Sequence, residues 1–573
     1  MKAMNKYYIL LLFSVLLTAC EKTNNCFKTI CNPVNLSYRF SLDSPSWREA
    51  ADPSMIKFKD EYYLFLSKSG GYFHSTDLIH WNLITTDDLP IEKYAPTVME
   101  MNGEIYFTAS IATNKIYKSR DPKSGKWELV TDQFPYILAE PMLFYDSDND
   151  KVYLYYGSGA ATPMMGMELD KNSFMPKGEA TPLFYSNAEK YGWEVSGDYN
   201  TNYKHTSWLE GAWMNKYKGK YYLQYAVPGT EFKSYSNGVY VSEHPLGPFT
   251  LLRHNPFSYK PEGFVNGIGH GSTFQDIHGN YWNIGTSTIS KRHMFERRVS
   301  LYPVFFDKDG DAYAYTAWGD YPMIVPDKKV SSPQDLFPEW MLLSYKKEVE
   351  TSSTLEGYPA ANAVNEDIRT WWSAKTADKG EFMTVDLGQN SKIYAIQINF
   401  ADQDAMISGK VDSTFYQYRI EDSQDGITWN TTVDKSENKV EAPNDYIQLD
   451  KPVNARYVRI TNIYFPSGKF SISGLRVFGK VDKPLPAVAQ FTQLVRSNDN
   501  RRTIELTWNE VNDATGYNIR FGTDKDKLYH NYLVYQTNKV SINILNADQT
   551  YYFTIDSFNE AGVTKGKEIK IVQ

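Results

Sequence analysis

Cysteine is scarce in this chain, with three among 573 residues, at Cys20, Cys26 and Cys31. That count excludes a fold held by a disulfide framework and a zinc site built from four thiolates, and no His lies near these positions to complete a mixed site. Cys26 and Cys31 are left either to pair in an oxidising compartment or to remain as two free thiols. An excess of positive charge is also missing. The net charge of -8 argues against nucleic acid as a partner. Beyond the first twenty residues no apolar run is long enough to cross a membrane as a helix. Helical periodicity is nearly absent over residues 36–325. The chain is too long for one core, so two to four domains are expected.

Aromatic residues are abundant, at 15% with 44 Tyr and 13 Trp. Aromatic faces pack on the C–H faces of sugars, which fits a glycan binder; a Tyr-rich β protein accounts for the excess equally well. The N-terminus, MKAMNKYYILLLFSVLLTAC, carries Lys2 and Lys6, an apolar run from Tyr7 to Leu17 and then Leu17-Thr18-Ala19-Cys20. It reads as a signal peptide over residues 1–19. Its end resembles a bacterial lipobox, with Cys20 as the lipidated first residue; the alternative is an ordinary secretory signal with a chance Cys. The expectation is an exported protein anchored to the bacterial outer membrane by lipid alone, on its periplasmic face or at the cell surface, with residues 20–35 as linker.

Residues 36–325 read as short strands separated by polar turns. YYLFLS, GEIYFTAS, KVYLYYG, KYYLQYA and NYWNIGT are aromatic and β-branched runs that recur roughly every 40 to 70 residues, the spacing of propeller blades. A two-sheet sandwich built from the same strands is the other arrangement considered. The register changes after WGDYPMIVPDKKVSSPQDLFPEW. Over 343–481, EFMTVDLG, YRIEDSQDGITWN and ARYVRITN suggest a jelly-roll sandwich, with Trp429 expected in its core. Over 484–573, TIELTWNEV and TYYFTIDSFNEAG suggest a small β-sandwich with Trp508 and Tyr517 at its centre. The predicted fold class is all-β, a five-bladed propeller followed by two sandwiches.

These residues carry a resemblance. ADPSMIKFKDEYYLFLS with STDLIHW, then YAPTVMEMNGEIYFTAS, AEPMLFYDSDNDKVYLYYG, WLEGAWMNKYKGKYYLQYA and GIGHGSTFQDIHGNYWNIGT resemble, in order, the five blades of glycoside hydrolase family 43. Tyr94 stands where the second blade usually has Trp. The second module resembles discoidin-like (coagulation factor C-type) sandwiches, many of which bind carbohydrate, and the last resembles a fibronectin type III domain.

The resemblance implies an inverting hydrolase with an acidic pocket on the propeller axis. Asp52, in Asp-Pro-Ser, matches the general base, and Glu210, in Glu-Gly, the general acid. Glu140, in Glu-Pro, stands where the family has an Asp that orients and tunes the acid. One extra methylene moves a carboxylate by about 1.5 Å, and misplacement on that scale can cost on the order of 10²-fold in rate. His270, in Gly-His-Gly-Ser, matches an axial His placed near a central ion or water, which makes it the one candidate metal ligand; a hydrogen-bonded core His is the other reading.

The residue types agree with the chemistry. Cleavage through an oxocarbenium-like transition state needs one protonated and one ionised carboxyl. Glu210 lies between Trp208 and Trp213, and apolar surroundings keep a carboxyl protonated. Trp193, Glu194, Trp213, Arg297 and Arg298 lie in segments expected to rim the pocket, and YKPEGFVNGIGH reads as a loop over it. In the discoidin-like module Trp371 and Trp372 are candidates to stack on sugar. No cofactor is required, although a structural Ca²⁺ on the axis or in the discoidin-like module is left open. The expected substrate is an oligosaccharide or polysaccharide losing a terminal arabinofuranose first of all, or galactofuranose, xylose or galactose. The other function considered is a non-catalytic glycan-binding lipoprotein with a degenerate propeller, which the Glu140 departure keeps open.

Overall fold

The computed structural model describes residues 27–42, 47–110, 115–136, 138–409, 411 and 413–573. Cys20, Cys26 and the leader lie outside the described residues. The chain is all-β, and its first module is a five-bladed propeller. Each blade is an antiparallel sheet, with inner strands Ser54–Phe58, Tyr94–Met101, Met142–Asp146, Trp208–Tyr217 and Asn266–Gln275. Several inner hairpins turn on two residues of positive φ, Lys59-Asp60, Asn102-Gly103 and Lys218-Gly219. This is the type I′ geometry that matches strand twist, and it explains the polar turns before the aromatic runs.

Two sets of hydroxyls tie neighbouring blades together. The N–H groups of Met55, Val98 and Leu143 donate to Ser272, Ser54 and Thr97 at 3.0, 3.1 and 3.3 Å. The N–H groups of Asp52, Ala95 and Glu140 donate to Thr286, Ser67 and Ser110 at 2.9, 2.8 and 3.1 Å. In each bond the acceptor belongs to the preceding blade, blade five preceding blade one. Strand starts that would otherwise bury unpaired N–H groups are thereby satisfied. Between blades four and five, indole and amide side chains take over: Trp213 Nε1 donates to the Thr273 carbonyl at 2.8 Å and Gln224 to that of Gly271 at 2.7 Å.

The second module centres on two long strands, Phe382–Phe400 and Asn444–Tyr464, paired along their length with register shifts that bend the sheet. Its core holds Trp372, Val385, Ile398, Ile460 and Leu475. Trp429 is half-buried under the Arg459 guanidinium, 3.9 Å from its ring, rather than in that core. The C-terminal module opposes a three-stranded sheet, ordered Phe491–Arg496, Ile504–Trp508, Lys539–Ile542, to a larger sheet built on Gly516–Gly522 and Tyr551–Asn559. Trp508 and Tyr517 are buried with ring centres 5.2 Å apart.

The modules dock tightly. Arg48, wholly buried, gives Nε to Asp402 at 2.8 Å, Nη2 to the Tyr416 hydroxyl at 3.0 Å and Nη1 to Glu441, all on the second module. Arg369 reaches back to Asp198 at 3.2 Å, and Ile368 packs with Phe264, Val265 and Ile289. The C-terminal module grips the same loop, through Asn543 to the Tyr199 carbonyl and Asn500 to the Tyr203 hydroxyl. Residues 259–270, expected as a loop over the pocket, instead divide: 266–270 belong to the inner strand Asn266–Gln275, and before it Lys260 pairs with buried Asp320 at 2.6 Å, Asp320 accepts from the N–H of Phe264, and Phe264 packs on Ile368 of the second module. Cys31 is a buried free thiol donating to the Asp320 carbonyl at 3.3 Å, and burial pushes it up to about 12. No helix among the described residues is long and apolar enough to cross a membrane.

Candidate active site

The five inner strands begin with one shared backbone device. Asp52, Ala95, Glu140, Gly211 and His270 occupy equivalent positions and have φ of 52, 43, 56, 65 and 37°. Each precedes Pro, Ala or Gly and then the residue that starts regular pairing. Three of these starts carry register shifts, after Tyr94, Glu210 and Gly269. A left-handed residue re-aims its side chain at a strand end, and four of the five are not glycine, so strain is stored where the chains converge. Gly211 is required for a second reason: a Cβ there would lie 2.9 Å from the His270 ring.

Six ionisable side chains meet at this point: Asp52, Glu140, Glu210, His270, Arg297 and Glu49. His270 Nδ1 lies 3.4 Å from Asp52 Oδ1 and 3.0 Å from Glu140 Oε2. Arg297 Nη1 lies 3.5 Å from Asp52 Oδ1, and its Nη2 is 3.2 Å from Glu49. The Ser67 hydroxyl also donates to Asp52. Glu210 Oε1 accepts the Tyr235 hydroxyl, whose ring lies directly against Gly269. Around Arg297 stands an aromatic wall: the guanidinium lies 4.9 Å over Phe295, which packs on Tyr94 and His293, and His293 stacks on Trp47 at 3.9 Å.

The electrostatics divide the carboxyls. Burial pushes Asp52 up, but Arg297, His270, the Ser67 hydroxyl and the Ala95 N–H together outweigh it and hold Asp52 below the usual carboxylate range. Burial and then the Glu140 charge push Glu210 up to about 7, against His270 and Tyr235. Burial pulls His270 down, but Asp52 and Glu140 overcome it and raise the imidazole to about 9. At pH below 7 the site therefore holds an ionised Asp52, a protonated Glu210 and an imidazolium in contact with Asp52 and Glu140.

Asp52, Glu140, Glu210, His270 and Arg297 are brought together. Glu194 and Trp193 are not. Trp193 is buried with its Nε1 on Asn546 of the C-terminal module, and Glu194 accepts the Tyr225 hydroxyl beneath blade four. Glu194 is also pushed up to about 7, by burial, so a raised carboxyl alone does not mark the pocket. Trp213 fills the seam between blades four and five. Arg298 points from its strand opposite to Arg297, bonding Asn444 and the Arg48 carbonyl at 3.2 and 3.1 Å. Trp372 is wholly buried, its Nε1 on the Ser353 carbonyl, so no sugar can reach it. Trp371 packs on Tyr358 and under Arg292, 4.7 Å away, with Nε1 on Gln403, and so serves the seam between modules. His270 does not fit a metal ligand: its Nδ1 faces two carboxylates as an ion-pair partner, and among the described residues no group of three or more His, Cys, Asp or Glu could hold a metal ion. Tyr235, Glu49 and Ser67 were not anticipated. A Tyr far along the chain from Glu210 gives no local signal of the contact.

Comparisons with known proteins bear on the family of the two larger modules. Residues 47–312 match the model of Glycosyl hydrolases family 43, and residues 348–472 match the F5/8 type C domain. A xylosidase/arabinosidase of Butyrivibrio fibrisolvens is 27% identical over 260 residues, covering 41% of this chain and 48% of that protein. A non-reducing end alpha-L-arabinofuranosidase of Bacteroides ovatus is 23% identical over 288 residues, covering 45% and 50%. The chain thus spans about half the length of the curated relatives it matches. The solved structure titled Bacteroides ovatus Xyloglucan PUL GH43B aligns at a TM-score of 0.41 and 16% identity, over 79% of this chain and 98% of that one. The chain therefore carries a glycosyl hydrolase family 43 domain over residues 47–312 and an F5/8 type C, discoidin-like domain over residues 348–472.

Proposed function

We propose that this protein removes a terminal sugar from an oligosaccharide or polysaccharide by single-displacement hydrolysis with inversion. Glu210 gives its proton to the glycosidic oxygen as the bond to the anomeric carbon breaks. Asp52 takes a proton from the water that attacks the opposite face. Glu140 keeps Glu210 protonated by like-charge repulsion, and His270 holds Asp52 and Glu140 apart as their shared counter-ion. The observation that carries this reading is the opposite displacement of the two carboxyls, Asp52 downward and Glu210 to about 7, within one cluster. Arabinofuranose ranks first as the donor, supported by the names of the two relatives, with xylose next. Residues 484–573 are proposed as a fibronectin type III sandwich, and the leader with Cys20 as a lipid anchor to the outer membrane.

Nitrophenyl glycosides of arabinofuranose, xylose, galactofuranose and galactose test this directly. One of them should be hydrolysed. Glu210→Gln should then lose several orders of magnitude on a sugar leaving group, and much less on nitrophenol, which needs little protonation. Equal losses on both would remove Glu210 from the role of acid; no hydrolysis of any substrate would favour a binding propeller.

A further inference from the structure

Among the described residues, Trp208 is the only tryptophan that lies exposed, at 42%. It opens the inner strand Trp208–Tyr217, two residues before Glu210. Along Trp208, Leu209 and Glu210 the burial runs exposed, buried, half-buried, and Leu209 sits in the apolar cluster of blades three and four. Strand side chains alternate, so Trp208 and Glu210 leave the backbone on one side, about 7 Å apart along the strand.

The ring is also held. Its Nε1–H donates to the Ser158 hydroxyl at 3.0 Å, and the Trp208 backbone N–H donates to the Pro228 carbonyl at 2.8 Å. The short strand Gly159–Ala160 pairs with Leu209 and Trp208. One loop thus holds the indole Nε1 and another the backbone that carries it, leaving an indole whose polar edge is satisfied while much of its apolar surface faces solvent. A core Trp would be buried, and a merely tolerated surface Trp would need neither anchor.

We propose that Trp208 is the platform on which the departing sugar stacks, so that this site selects a glycan on the leaving-group side. This rests on Glu210 being the acid: its proton goes to the glycosidic oxygen, and the sugar carrying that oxygen away must lie on the Glu210 side of the cleft. Its ring would present a C–H face to the indole. Trp208 is a specificity-determining residue and takes no part in the proton transfers.

The test compares two substrates with one donor, arabinofuranosyl-substituted xylotriose and arabinofuranosyl fluoride. Fluoride leaves without a ring to stack. Trp208→Ala should lower kcat/KM on the oligosaccharide about tenfold, the upper range of a ring-stacking contact, and leave the fluoride within twofold. Trp208→Phe should recover most of the loss, and an unchanged melting temperature shows that folding is not the cause. Equal losses on both substrates, or no loss on either, overturn the proposal. A second measurement separates it from the hydrolase reading. In the Glu210→Gln background, titration with the same oligosaccharide followed by calorimetry should show about tenfold weaker binding when Trp208→Ala is added. If the wild type hydrolyses neither substrate, the hydrolase reading fails and this affinity ratio alone decides the platform: an unchanged affinity refutes it.

Discussion

Replacing Glu140 by Gln isolates one charge at nearly constant shape. Burial is the first cause of the raised Glu210 carboxyl and stays in place; the Glu140 charge is the second and is lost. Two unit charges on the order of 8 Å apart would repel by about 2 kcal/mol at an effective dielectric near 20, or about 1.5 pH units, which sets the scale of that loss. A compensation works against this. His270 is raised partly by Glu140, so its positive charge weakens in the variant and steadies the ionised Glu210 less. The net expectation is a fall of roughly one unit in the Glu210 carboxyl. Because the acid must be protonated to act, activity is present below its pKa and lost above it. The basic limb of the kcat/KM profile should therefore begin near pH 7 in the wild type and near 6 in Glu140→Gln. The acid limb, set by Asp52, should lie below the ordinary carboxylate range in both. A basic limb that stays at 7, or moves upward, refutes like-charge repulsion as the role of Glu140.

Glu140→Asp restores the residue usual in the family, yet it should lower kcat about tenfold or more here, because the shorter arm withdraws from the 3.0 Å contact with His270; a rate gain would show that the pocket has not adapted to Glu. Asp402→Ala should destabilise the whole chain by about 3 kcal/mol, since it strips a partner from the fully buried Arg48. Calorimetric unfolding measures this, and the ratio of activity on polymer to activity on a small glycoside should not change. A chain ending at Trp340 should lose stability and activity on both substrates together, because Arg48 then loses Asp402, Glu441 and Tyr416 at once. Selective loss on polymer would instead mark the discoidin-like module as a tether.

The site acids were legible because each stands beside a residue that breaks regular pairing. Asp-Pro-Ser, Glu-Pro, Glu-Gly and Gly-His-Gly-Ser mark strand starts, where Asp52, Glu140 and His270 are themselves left-handed and Glu210 precedes the left-handed Gly211. The aromatic runs after polar turns made the blades legible in the same local way. What failed was parity and partnership. Arg297 and Arg298 are adjacent, and only the register of their strand sends one to Asp52 and the other to Asn444. Trp371 and Trp372 divide likewise between a seam and a core. Trp193 and Glu194 looked like pocket residues because nothing in YGWEVSG announces that a module some 350 residues later packs on them, through Asn546. Tyr235 escaped notice because its contact with Glu210 is made by folding and not by spacing.

The account turns on Asp52 activating a water on the face opposite Glu210. Proton NMR of the sugar first released, taken before mutarotation, measures that geometry directly. With the arabinofuranoside the new anomeric signal should have the configuration opposite to the substrate. Release with retained configuration would require a carboxylate acting as nucleophile, and it would contradict the roles assigned to Asp52 and Glu210.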